Sequence, residues 1–337
     1  MIDISMQYLG MKLSSPIVAA ASPLAESMDN IRRMEDAGAA AIVLPSLFEE
    51  QLVMEAHALD EDLWRGIDSF AESLDYLPKL ADYRMTHERY LDHLRRAREA
   101  AGIPIIASLN GATLGGWVRY AKDMEEAGAH AIELNTFALA TQISQTSDAM
   151  ESQMIELVAS VCRSVKIPVA VKISLSYTSL PHLCSWLENA GARAVVLFNR
   201  FYQPDFDIES LEVRPSLHFS IPEELLPRLH WTAILFGQLK GDIAITGGVH
   251  SATDVLKSIM AGASVAEMAS ALHIHGIDHI GRVLSDLRAW LEKHEYTSLA
   301  VTRGCLSRRS VPDTAPYDRG NYIKTLSAYS LRNPVIP

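Results

Sequence analysis

DIAITGGVHSATDVLKSIMAGASVAEMASAL, residues 242–272, carries the pattern from which the fold can be read. An apolar run from Asp242 to Thr246 has the length of a buried strand, breaks at Gly247 and Gly248, and gives way to a helix near Ser251. Ser251, with Asp254 three residues later, reads as a capping box in which each side chain satisfies a backbone N–H of the first turn. A second strand, Ser264 to Met268, ends in Ala269 and Ser270, small residues that let a ligand approach the backbone. Paired glycines between a strand and a helix leave N–H groups bare, which makes a phosphate cradle, although Gly-Gly alone is most often just a turn. Two such junctions in succession near the end of the chain match the phosphate site after the seventh and eighth strands of a barrel.

Working back from this stretch, short apolar runs alternate with helical patterns. Strands are expected at Pro16–Ala21, Ala40–Leu44, Pro104–Leu109, Ala131–Leu134, Val169–Ile173 and Ala194–Phe198. Helices are expected between them, at Met28–Ala37, Thr86–Ala101, Gly116–Ala127, Ala149–Val165 and Leu180–Asn189. EDAGAAAIVL (35–44), EEAGAHAIEL (125–134) and ENAGARAVVL (188–197) repeat one unit, with Gly as the helix C-cap before a tight turn into a strand. Eight strands in this rhythm close most simply into an α/β (β/α)8 TIM barrel, a single domain over residues 1–337. An open doubly wound sheet competes, but no G-x-G-x-x-G follows the first strand. Two excursions lie over the C-terminal face, at about 45–85 and at 201–221, the second with the alternation of a small antiparallel hairpin; a tail follows from about 296 to 337.

Composition narrows the function. A formal net charge of -11 argues against general affinity for nucleic acid or anionic membranes. Cys162, Cys184 and Cys305 form no C-x-x-C pair, which excludes a self-contained iron–sulfur cluster or a Cys-rich zinc site and favours a reducing compartment. The N-terminal MIDISMQYLGMKL lacks the pattern of a signal peptide, and no stretch reaches the roughly 20 apolar residues of a membrane span. A cytoplasmic location is expected.

In a barrel of this kind, chemistry sits at the C-terminal ends of the strands. Those ends read Ala20-Ala21-Ser22, Pro45-Ser46, Asn110-Gly111, Asn135, Lys172, Asn199-Arg200, Gly247-Gly248 and Ala269-Ser270. Lys172 lies in VAVKIS, otherwise a fully buried strand, so its ammonium must meet an anion or a strong acceptor: a ligand, or a carboxylate in a structural ion pair. Each asparagine offers a donor and an acceptor, which suits a planar heterocycle with amide-like edges. His250 could touch the phosphate or be a solvated loop residue. HIHGIDHI (273–280) lacks H-E-x-x-H spacing and a completing Cys, so no metal site is expected. Cys162 falls in an apolar helix stripe and reads as core, and Arg308, Arg309 and Arg319 either anchor the tail or meet a partner.

Taken together and in order, SSPIVAAAS (14–22), IELN (132–135), VAVKIS (169–174), LFN (197–199), ITGGVHSATD (245–254) and VAEMASAL (265–272) resemble the dihydroorotate dehydrogenase family over nearly the whole chain. The resemblance implies an FMN-containing oxidoreductase that converts dihydroorotate to orotate in pyrimidine biosynthesis. By the same resemblance, Ala20, Ala21, Ser22 and Ser46 would pack on the flavin, and Lys172 would approach its N1 and C2 carbonyl. Asn135 and Asn199 would meet flavin and substrate, Asn110 would join the substrate side, and Gly247, Gly248, Ala269 and Ser270 would hold the phosphate. Cytosolic relatives pair as homodimers, and the missing cysteines imply that any long-range electron transfer runs through a separate acceptor protein.

Two departures stand out. Where the family has Leu-Ser-Cys-Pro-Asn or Val-Ser-Ser-Pro-Asn, whose Cys or Ser removes a substrate proton, this chain reads ELNTFALATQIS (133–144), so the base position is Ala138. Thr141 and Ser144 are the nearby candidates, or else ordinary polar loop residues. A lysine expected after the second strand is Pro45. The resemblance therefore leaves room for a changed substrate or a non-catalytic flavin-holding subunit, and the phosphate cradle alone also fits a barrel that binds a sugar phosphate.

Overall fold

In a computed structural model of the chain, which describes residues 2–49, 87–110, 114–136, 138–200, 204–318, 321–322 and 326–327, the expected alternation closes into a ring. A hairpin of β1 (Met6–Tyr8) and β2 (Met11–Leu13) comes first. Six parallel strands follow: β3 (Ile17–Ala19), β4 (Ala41–Phe48), β5 (Ile105–Asn110), β6 (Ala131–Asn135), β7 (Val169–Ile173) and β8 (Ala194–Leu197). The excursion after β8 carries an antiparallel hairpin, β9 (Asp205–Asp207) and β10 (Glu212–Arg214). Then β11 (Asp242–Thr246) and β12 (Val265–Met268) complete an all-parallel barrel in which β12 pairs with β3.

The helices clothe the outside: α1 (Met28–Asp36), α2 (His87–Ala100), α3 (Leu114–Glu126), α4 (Ser147–Ser164), α5 (Leu180–Asn189), α6 (Leu225–Leu235), α7 (Ala252–Ala261), α8 (Ser270–His275) and α9 (His279–Lys293). Local chemistry accounts for their ends. Ser251 and Asp254 form the expected capping box on α7, at 3.3 and 2.9 Å. In the repeated AG units, Gly38, Gly128 and Gly191 all have φ near +100°, and each following alanine N–H reaches back to a carbonyl in the last helical turn. That is the Schellman closure, which tightens the entry into β4, β6 and β8.

The structure departs from the sequence reading in two places. The second barrel strand does not stop at Leu44 but runs through Pro45 to Phe48, because the register with β5 shifts between Val43 and Ser46 and so absorbs the missing proline N–H. Of the first excursion, residues 50–86 lie outside the described residues, as does Arg319 of the tail. The hairpin β1–β2 was not foreseen. It plugs the N-terminal end of the barrel, with Tyr8 and Leu13 packed on Val18, Val43, Ile106, Ala131, Ala170 and Val265. The second hairpin falls where expected, and Arg308 ties the tail down through its N–H to the Ala233 carbonyl.

Outside the barrel, Tyr90 of α2 is fully buried and bridges to β5: its hydroxyl accepts from Ser108 N–H at 2.9 Å and donates to the Ser108 carbonyl at 3.1 Å. Tyr90→Phe strands both backbone groups in the interior, and chemical denaturation is expected to register a loss of about 1–3 kcal/mol.

Candidate functional site

Side chains alternate along a strand, so every second residue faces the barrel axis. Counting upward in β6, that face carries Ala131, Glu133 and Asn135; in β7, Ala170 and Lys172; in β12, Val265 and Glu267. The lowest layer is apolar and sealed by Tyr8, whereas the layer above it is polar. Above that layer the strand ends open into a cavity of about 400 Å³.

All eleven residues expected to hold a cofactor line this one cavity. Ala20, Ala21 and Ser22 come from the end of β3, Ser46 from β4, Asn135 from β6, Lys172 from β7, and Asn199 from just after β8. Gly247 and Gly248 follow β11, and Ala269 and Ser270 follow β12. Asn199 Nδ2 donates to Asn135 Oδ1, and the Ser46 and Ser108 hydroxyls meet at 2.7 Å. Pro45 also lines the cavity.

The remaining expected site residues fall elsewhere. Asn110 is buried at the end of β5 and is not part of the cavity wall, so the structure does not place it with the other asparagines. Ala138 is exposed and lines a separate cavity with Trp117, Met154 and Tyr177. Thr141 and Ser144 are exposed on the loop leading to α4 and touch neither cavity. The cause is local: the loop turns outward after Thr136, whose N–H and hydroxyl are both fastened to the Lys172 carbonyl, at 3.2 and 2.9 Å.

Lys172 meets the carboxylate foreseen as its alternative: its ammonium forms an ion pair with Glu133, and both are buried. A second acid, Glu267, shares the polar layer and also lines the cavity. Burial, reinforced by the nearby Glu133 and only partly offset by Lys172, pushes the Glu267 carboxyl well above the ordinary range. Neither glutamate was singled out from the sequence. The available signal was an acidic residue inside an apolar strand, in IELN and VAEM, two positions before Asn135 and Ala269 and thus on the same face. Another carboxylate, exposed Glu26, stands at the rim.

At the phosphate end, the Gly248 N–H donates to Ser220 Oγ at 3.1 Å, and Ser220 Oγ donates to Ser270 Oγ at 2.9 Å. Ser220, at the close of the second excursion, was missed in the sequence because a serine in a loop carries no spacing signal. The Arg228 guanidinium lies behind the glycine turn, held by the Thr246 and Glu224 carbonyls. Burial lowers its proton affinity, while Glu224 opposes that effect. Arg200 makes a two-pronged ion pair with Glu224, 3.1 Å on each side. His250 neither lines the cavity nor stands free: its ring nitrogen Nε2 is 2.7 Å from the Ser220 carbonyl, and its own carbonyl is 2.7 Å from His279 Nε2.

A family model described as dihydroorotate dehydrogenase matches residues 82–291. A protein of Aeropyrum pernix named as dihydroorotate dehydrogenase A (fumarate) is 29% identical over 216 residues, 61% of this chain and 68% of its own length. Two proteins named dihydroorotate dehydrogenase B (NAD(+)), catalytic subunit, match along almost their whole length. That of Thermoplasma acidophilum is 23% identical over 89% of this chain and 97% of its own, and that of Thermoplasma volcanium 25% identical over 92% and 100%.

Proposed function

Because the chain belongs to the dihydroorotate dehydrogenase family of flavin oxidoreductases, we propose that its upper cavity binds FMN and oxidises a small planar substrate of the dihydroorotate kind, as a step of pyrimidine biosynthesis. The observation that carries this reading is the convergence of eleven residues from seven strand ends on one cavity.

The residues present fit that cofactor. The turn at Gly247 and Gly248, the Ser270 hydroxyl and the buried cation of Arg228 behind the turn make an anion site, with Ser220 Oγ accepting the Gly248 N–H that an anion would take over. Ala20 and Ala21 offer a flat, small-residue wall for a ring system, and Asn135, Asn199 and Lys172 offer polar groups to its edge. When bound, FMN supplies the hydride acceptor. The asparagines orient the substrate, Lys172 presents an N–H donor at the cavity floor from its ion pair with Glu133, and the buried walls exclude water.

A changed substrate is the second reading, favoured by two placements: Ala138 stands outside the cavity, and Pro45 stands in its wall where the family has a lysine. The names of the Thermoplasma relatives, which are catalytic subunits, support a separate electron-acceptor protein. A homodimer is in keeping with Phe206, Ile208, Leu211 and Val213, all exposed on or beside the second hairpin. The three cysteines are free, in keeping with a cytoplasmic location, and among the described residues no helix is long and apolar enough to cross a membrane.

Titration with FMN under fluorescence is expected to show saturable quenching at one site per chain. Anaerobic addition of dihydroorotate to the loaded protein then separates the readings. Bleaching of the flavin absorbance supports the family substrate; a spectrum left unchanged by dihydroorotate but bleached by dithionite favours a changed one. Failure to bind FMN would overturn both.

A further inference from the structure

The polar layer under the cavity holds more acid than its cation can balance. Lys172 is ion-paired with Glu133, yet Glu267, 1% exposed and projecting from β12 to the same axis, adds a second carboxyl. Neither of its oxygens makes a hydrogen bond of normal geometry. Its strand neighbours at that level are Val18 of β3, which is apolar, and Thr246 of β11. Below lies Tyr8, fully buried, with a hydroxyl that also has no hydrogen-bond partner. Asp242, lower in β11, is already engaged with Ser264, Leu9 N–H and Arg303. Among the described residues no cation besides Lys172 faces Glu267, and Lys172 is already shared with Glu133, so Lys172 and the Thr246 hydroxyl would compensate an ionised Glu267 only in part. Desolvation and the Glu133 charge both work in the same direction, toward the neutral acid.

We propose that Glu267 holds its proton at neutral pH and acts as the charge-setting acid of the cavity floor, so that proton binding at Glu267 and negative charge on the cavity's ligand favour each other. The ligand part of this statement rests on the reading of the cavity as an FMN site. With Glu267 neutral, Lys172 and Glu133 cancel, and the floor presents no net charge to a ring above it. When Glu267 releases its proton to solvent, the floor becomes negative and opposes added negative charge on that ring. By linkage the effect is mutual: a ligand that turns more negative holds the proton on Glu267 more firmly. Glu267 is a positioning residue for charge and takes no part in moving atoms of the substrate.

The sign of the pH effect on folding follows from the raised proton affinity. Between the ordinary carboxylate range and the higher folded-state value, the native protein binds more protons at Glu267 than the unfolded chain does. The stabilisation is therefore complete below the ordinary range and is lost as pH rises through that window, about tenfold in the folding equilibrium per pH unit, or ~1.4 kcal/mol. Glu267→Gln, similar in shape and permanently neutral, should lack this loss.

Three readouts on the full chain test the proposal. Infrared spectra of protein carrying 13C-labelled glutamate should show a protonated-carboxyl band at neutral pH that Glu267→Gln removes. Denaturation across pH should show wild type losing stability relative to Glu267→Gln as pH rises. With FMN bound, the two proteins should share one midpoint potential at low pH, and that of wild type should fall below the variant's at high pH. Absence of the carboxyl band, parallel stability curves or parallel potentials would each overturn the proposal. If FMN does not bind, the reading of the cavity fails, and the band and the stability curves, measured without any ligand, still decide the state of Glu267. A fold lost in Glu267→Gln at all pH values would show that ionised Glu267 is needed for structure, which also overturns it.

Discussion

Replacing Lys172 with alanine is expected to destabilise the protein by about 3–5 kcal/mol at neutral pH, the usual consequence of removing one partner from a buried ion pair. The cause is what remains: Glu133, 1% exposed, would keep a charge with its cation gone and with Glu267 close by in the same layer. Lys172→Met restores most of the side-chain volume but not the ammonium, so it should strand Glu133 as alanine does while losing less to packing. Thermal or urea denaturation of the two variants beside wild type measures both losses. A Lys172→Ala protein as stable as wild type at neutral pH would mean that the ion pair does not hold the polar layer together. Flavin reduction should also slow, since Glu133 left without Lys172 makes the floor negative.

The other large effect is expected at the glycine turn. Gly248 has φ of +77°, and a Cβ there would stand 2.5 Å from the Leu225 nitrogen and 3.0 Å from its Cα. Both the backbone conformation and the space exclude a side chain, and the obstacle is backbone at the start of α6, which cannot swing aside as a flexible side chain would. Gly248→Ala must move either the turn or the helix, and either movement disturbs the N–H now directed at Ser220 Oγ. FMN affinity is expected to fall roughly 10- to 100-fold, the scale of one or two lost hydrogen bonds to a charged group. Riboflavin, which lacks the phosphate, is the control and should be much less affected. Equal losses for the two ligands would show that the turn supports the cavity as a whole and does not serve a phosphate.

How legible the site was in the sequence depended on what kind of constraint each residue obeys. The strand ends could be enumerated because each follows an apolar run of strand length, and the AG units repeated the same junction three times. Lys172 drew attention because an ammonium in a buried run demands a partner. Glu133 and Glu267 obey the same rule and were legible by the same logic, but the identity of the partner was not: nothing local says that a residue of β6 and one of β12 meet the lysine of β7 on a common axis. Ala138 shows the opposite case. Its position relative to Asn135 is a matter of three residues, yet the direction of the loop is set by hydrogen bonds from Thr136 to the neighbouring strand.

Alone, the sequence determined the number and order of the barrel strands, the glycine caps between helix and strand, the two glycines of the turn and the closure into a barrel. These follow from short-range periodicity and from backbone conformations that few residue types allow. Only the tertiary structure decided which inward-facing residues share a layer, that Tyr8 closes that layer from below, and that Ser220 and Arg228 arrive at the turn from a distant part of the chain. The reason is that strand register and barrel stagger convert sequence positions into heights along the axis, and both are set by how the whole ring closes.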